Sequence, residues 1–173
     1  MKSFIESQFS FSPMTWMFHD RGVNNKINKI HERALRIVYR DDTSTTFEEL
    51  LKKDNSLRIH HRNIHVMAIE MFKSLNGLGP ALLDDLFTKK ANVNKRDLRS
   101  NNDFFLPQVN TVHYGHDSLR YFGCKIWEII PCEIKSSIGV EQFKSKIKQW
   151  VPTECPCRLC KTYLFRTGYV NVY

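Results

Sequence analysis

The sequence predicts a mainly α protein, a small helical bundle with a loop-rich middle segment and a Cys-rich C-terminal tail. Three observations carry that prediction. Apolar residues recur three and four positions apart through several long segments, the spacing of one helical face. Residues that start and stop helices flank those segments. Periodicity fades from Thr88 to about Val112, where Asn, Asp, Lys and Arg dominate. At 173 residues, 42% hydrophobic and 12% aromatic, the chain is long and apolar enough to bury a core. The expected divisions are a helical region over 1–87, an exposed loop or linker over 88–116, C-terminal helices over 117–150 and the tail over 151–173.

Taken in order, the first 18 residues are aromatic-rich (Phe4, Phe9, Phe11, Trp16 and Phe18), and Pro13 breaks or restarts a helical segment there. Asp20-Arg21-Gly22 reads as a turn, and Asn24 or Asn25 is a fair cap for a helix that ends near Arg40. Thr45, with Glu48 three residues on, predicts a capping box and a new helix. A longer helix is expected from Leu57 to Leu75, with Ile64, Met67, Ala68, Met71, Phe72 and Leu75 on its core face. Asn76-Gly77 stops it, and Pro80 opens a short helix through Phe87. Within the loop, Phe104-Phe105-Leu106 reads as a short extended piece before Pro107. Helix returns from about Asp117 to Ile129, with Leu119, Phe122, Ile126 and Ile130 on one side, and Pro131 ends it. A last amphipathic helix spans about Val140 to Trp150, with Phe143, Ile147 and Trp150 on a face. No internal repeat or low-complexity tract is apparent.

Charge is unevenly placed. The net charge is +8, from 26 Lys and Arg against 18 Asp and Glu. Segment 21–40 holds six Lys or Arg against one Glu, or +5, whereas segment 41–60 has five acids against three bases, or −2. Lys26, Lys29, Arg33, Arg36 and Arg40 step by 3, 4, 3 and 4, which makes one basic stripe on a helix. Ile27, Ile30, Ala34, Leu35, Ile37 and Val38 make an apolar stripe about a third of a turn round. The helix is therefore expected to pack its apolar stripe on a core while offering cations to a polyanion. A solvated helix face is the competing reading. No stretch approaches the roughly 20 apolar residues of a membrane span. The N-terminus has no secretory pattern, and five Cys is an odd number. These features predict an intracellular protein of nucleus or cytoplasm, reduced rather than secreted.

Candidate chemistry is sparse. Tyr39-Arg40-Asp41-Asp42 resembles the Y-x-D-D of a reverse transcriptase, whose paired carboxylates hold two metal ions. That motif needs apolar strands on both sides, and here a basic helix precedes it and Thr43-Ser44-Thr45-Thr46 follows, so it reads as a helix end and an acidic turn. Cys155, Cys157 and Cys160 put three thiols within six residues, enough for most of a tetrahedral zinc site with Cys132, Cys124 or a His as fourth ligand. Three free thiols in a tail is the equal alternative. Arg158, Lys161 and Arg166, interleaved with Tyr163 and Phe165, would give such a knuckle cations and stacking surfaces for single strands. His61 and His65 are four apart, but no H-E-x-x-H glutamate accompanies them, so packing or surface roles are expected. No nucleophile elbow or Gly-rich phosphate loop is present.

From His31 to Leu51, HERALRIVYRDDTSTTFEELL, the chain resembles the C-terminal region of a non-LTR retrotransposon reverse transcriptase of the jockey-like kind. Further pieces keep that order: Ser7 to His19, Asn25 to Asp41, Phe47 to Ile64, Glu70 to Phe87, Tyr121 to Pro131, Phe143 to Trp150, and the closing CPCRLC. The resemblance implies the helical thumb and post-thumb of an RNA-directed DNA polymerase whose catalytic palm, with its Mg ions, lies upstream. It implies that residues 1–87 are thumb-like, that this chain alone has no catalytic residues and is inactive, and that its partner is RNA or an RNA–DNA duplex. Lys26, Lys29, Arg33, Arg36 and Arg40 would then neutralise phosphates without reading sequence. A truncated element copy, a stand-alone nucleic-acid-binding module and a helical protein-interaction domain with a basic face are the three readings carried forward. No oligomeric state follows from any of them.

Overall fold

The computed structural model describes residues 7–18, 21–40, 44–90, 103–111, 115 and 118–152. The chain divides into two units, residues 1–63 and 64–173, each described here by itself. That division falls within one long helix. Among the described residues the architecture is helical throughout, and the one extended pairing is an antiparallel bridge between Lys89 and Phe104.

The first unit opens with two short helices, α1 (Ser7–Ser10) and α2 (Pro13–Trp16). Ser12 takes a left-handed conformation between them, and Pro13 restarts the helix at its first turn, where its missing N–H costs nothing. The Trp16 indole N–H donates to the Phe11 carbonyl at 2.8 Å and closes the corner.

Helix α3 (Arg21–Tyr39) begins earlier than expected. The Asp20-Arg21-Gly22 turn and the cap at Asn24 or Asn25 are not found, because Arg21 is already helical and Asn24 is buried on the helix's inner face. That inner face is the second difference. Asn24, Asn28, His31 and Leu35 step by four, three and four and are all buried, with Ala34 beside them. Ile30 and Ile37, expected in the core, are 55% and 72% exposed. Leu35 packs with Leu50 and Leu51, flanked by Tyr39 and Phe47, and His31 meets the edge of the Phe47 ring at 5.6 Å. The aromatic and leucine side chains of the next helix thus select which side of α3 turns inward.

Helix α4 (Phe47–Asp54) has its capping box one residue later than expected, at Thr46 and Glu49. The Glu49 N–H donates to Thr46 Oγ1 at 3.4 Å, and the Thr46 N–H donates to Glu49 Oε2 at 2.8 Å. This register places Leu50 and Leu51 on α3. Asn55, left-handed at φ 50°, ends the helix with its N–H on the Leu51 and Lys52 carbonyls. Arg58 forms an ion pair with Glu48 and lies 5.1 Å over the Phe47 ring. The Tyr39 hydroxyl donates to Asp54 Oδ1 at 2.8 Å, tying the ends of α3 and α4 together.

Helix α5 (Ile59–Leu75) runs across the division. Its face of Ile64, Met67, Ala68, Met71 and Phe72 is buried as the spacing predicts. It ends in a Schellman motif: Gly77 takes φ 67°, the Gly77 N–H bonds Ser74 O and the Leu78 N–H bonds Lys73 O. Helix α6 (Ala81–Leu86) follows Pro80, and the buried Ser74 hydroxyl donates to Asp84 at 2.5 Å across that turn.

Among the described residues the second unit continues with helices α7 (Leu119–Ile129), α8 (Cys132–Lys135) and α9 (Val140–Gln149). Ser118 caps α7, and Gly139 precedes α9. An aromatic chain makes the core: Phe72 stacks on Phe143 at 4.3 Å, Phe143 neighbours Trp127 at 6.1 Å, and Phe104 bridges Trp127 and Phe87. Phe104 is only 3% exposed, so the described end of the expected loop belongs to the core. Asp103 anchors it, accepting the Trp127 indole N–H at 3.0 Å and facing Lys135 and Lys90. The rest of that loop, residues 91–102, lies outside the described residues.

Candidate nucleic-acid interface

Helix α3 is 19 residues long, so its side chains are held on a straight ruler of known pitch. Lys26, Lys29, Arg33 and Arg40 are all exposed, opposite the buried Asn24, Asn28, His31 and Leu35. From Lys26 to Arg40 the row extends about 21 Å at 1.5 Å per residue. None of the four forms an ion pair with a described residue. The structure therefore brings four of the five stripe residues onto one open face.

Arg36, the fifth, is differently placed. Its guanidinium pairs with Glu32 at 2.7 Å and donates to the Thr45 carbonyl at 2.7 Å. It is a strut between α3 and the segment leading into α4. Arg40 closes the row at φ 48°, just beyond the helix, with its N–H on Ile37 O.

Sequence reasoning missed that Ile30 and Ile37 lie among these cations rather than beneath them. Hydrophobicity alone assigned the buried side. The signal that finds it is the charge stripe itself, since the face diametrically opposite the cations contains Asn24, Asn28, His31 and Leu35. Polar residues there look unlike a core, and packing against Phe47 and Leu50 overrides that appearance.

The other candidates resolve individually. Tyr39 ends α3 with its hydroxyl on Asp54, so helix, not strand, precedes the Y-R-D-D tetrapeptide; Asp41 and Asp42 lie outside the described residues. His65 is buried, and one of its ring nitrogens lies 2.8 Å from the Trp150 carbonyl; burial pushes its pKa below the usual 6.5, partly offset by that hydrogen bond. His60 is buried as well. Cys124 is buried, its Sγ directed at the Arg120 and Phe105 carbonyls, and burial, aided by Glu128, pushes its thiol up to about 11. Cys132, exposed at the start of α8, keeps its chemistry open. Cys155, Cys157, Cys160, Arg158, Lys161 and Arg166 lie outside the described residues, among which no group of three metal-capable side chains occurs. No described helix is long and apolar enough to cross a membrane.

No protein-family profile, curated protein or solved structure matches the chain.

Proposed function

We propose that this protein binds the phosphate backbone of RNA or an RNA–DNA duplex through the outer face of α3, as the helical region that follows the palm of a retroelement polymerase. The observation that carries the reading is the open row of Lys26, Lys29, Arg33 and Arg40 on a helix whose other side is packed. Backbone binding needs no more than that: cations at fixed separation displace condensed counterions, without base readout. Arg36 contributes by holding the helix against the α4 segment. The link to a reverse transcriptase rests on the sequence resemblance, and catalysis would belong to residues upstream.

The test is anisotropy with a labelled RNA–DNA hybrid, comparing the protein with Lys26→Gln/Lys29→Gln/Arg33→Gln. Affinity is expected to drop by about ten- to a hundredfold at low salt. Unchanged affinity would end the reading. The element assignment has its own test in the DNA upstream of Met1, where a decayed or intact frame encoding a Y/F-A-D-D hairpin is expected.

Zinc at Cys155, Cys157 and Cys160 is part of the same proposal, with the fourth ligand from Cys132, Cys124 or a His, and would brace the tail against template or target strands. Protein purified without chelator is then expected to carry one zinc per chain. Metal-free protein that takes up none would remove this element.

A further inference from the structure

Phosphate binding leaves part of the α3 face unused. Ile30 and Ile37, 55% and 72% exposed, lie two turns apart along one edge of the cation row: Lys26 and Arg33 lie a turn before and after Ile30, and Arg33 and Arg40 a turn before and after Ile37. A β-branched aliphatic in water gains nothing from a phosphate beside it, whereas aliphatics repeating every seven residues form the seam of a helix–helix contact. We propose that this face seats an acidic amphipathic helix of a partner protein, which excludes nucleic acid from the same cations. The inference rests on the proposed nucleic-acid reading only for that exclusion.

Charge decides the occupant. A second copy of α3 would set Lys26, Arg33 and Arg40 against their equivalents, and like charges across a seam repel. A helix with Leu or Ile at three- and four-residue spacing and Glu on the flank that faces the cation row satisfies both halves of the pattern. Its aliphatics cover Ile30 and Ile37, and its carboxylates meet Lys26, Lys29, Arg33 and Arg40. Such a segment presents the same carboxylate row that a backbone presents as phosphates, so the two compete.

The experiment uses the full chain and a labelled synthetic peptide of about 18 residues, five turns with a Leu seam and Glu along one flank, beside a scrambled peptide of equal composition. Ile30→Ser/Ile37→Ser alters exposed positions only, and far-UV circular dichroism with a melting curve verifies the fold. The peptide is expected to bind the protein more tightly than the scrambled control, to displace the RNA–DNA hybrid, and to lose about tenfold in affinity to the double variant. Hybrid affinity is expected to change by less than about twofold in that variant. Equal binding of both peptides, or of the peptide to both proteins, would overturn the proposal. Equal losses for peptide and hybrid would also overturn it, assigning the isoleucines to the nucleic-acid contact. Seam-dependent peptide binding by a protein that binds no hybrid would sustain the docking face and sink the nucleic-acid reading instead.

Discussion

At Gly123 a missing side chain is the structural feature. A Cβ there would lie 2.8 Å and 2.9 Å from ring carbons of Phe87 and 3.3 Å from the Met71 sulfur. Phe87 is buried against Phe104, so its ring has little room to retreat. Gly123→Ala is therefore expected to destabilise by about 1–3 kcal/mol, despite the gain in helix propensity, as read from a urea midpoint. A midpoint at or above that of the parent would show that the α7 contact yields. His65 gives a pH dependence. Its folded pKa is below the ordinary 6.5, so the unfolded chain binds the extra proton. Its contribution is fully present above that value and is lost as pH falls through the depressed folded pKa. Stability measured from pH 8 to pH 5 is expected to decline below about 6.5, and His65→Gln is expected to flatten that decline. A decline of equal steepness in the variant would assign it to other groups. Cys124, with its pKa near 11, is expected to resist alkylation at pH 8 in the folded protein while the exposed Cys132 reacts. Equal labelling of the two peptides by mass spectrometry would contradict that burial.

The capping box belongs to the scale of the element. Thr46→Ala removes the acceptor for the Glu49 N–H and is expected to cost about 1 kcal/mol, whereas Thr45→Ala is expected to cost less. The reverse order would restore the register read from sequence. The shift is instructive, since Thr45-Thr46-Phe47-Glu48-Glu49 offers two boxes of equal quality. Only the side chains four residues on decide, because the chosen box turns Leu50 and Leu51 onto Leu35. Elements with a single punctuation mark were legible: Pro13, Asn76-Gly77, Pro80 and Pro131 each end or start a helix where the sequence places them. The core face of α5 was legible because its apolar spacing has no competitor. The orientation of α3 was not, since the more apolar arc, with Ile30 and Ile37, is exposed and the buried arc, Asn24, Asn28, His31 and Leu35, is largely polar. The exposure of Lys26, Lys29, Arg33 and Arg40 was legible from their spacing; Arg36 was not separable from them, because its bond to the Thr45 carbonyl is a tertiary fact.

At the scale of the molecule, one side of α3 packs while the other, with Lys26, Lys29, Arg33 and Arg40, is exposed. Among the described residues of the first unit, the four exposed cations take no part in the cluster of Leu35, Leu50 and Leu51 with Tyr39 and Phe47. Removing the cations should therefore leave the melting temperature nearly unchanged, while Leu35→Ala, in that core, should cost about 2–5 kcal/mol. This separation of binding from stability makes the central claim measurable. The decisive experiment is a salt titration of RNA–DNA hybrid binding for the protein and for Lys26→Gln/Lys29→Gln/Arg33→Gln. If all four cations of α3 engage phosphates, the slope of log affinity against log salt is expected near −3.6, falling to about −0.9 in the triple variant. A shallow slope in the parent, or equal slopes in both proteins, would contradict the account and leave the α3 face to a protein partner.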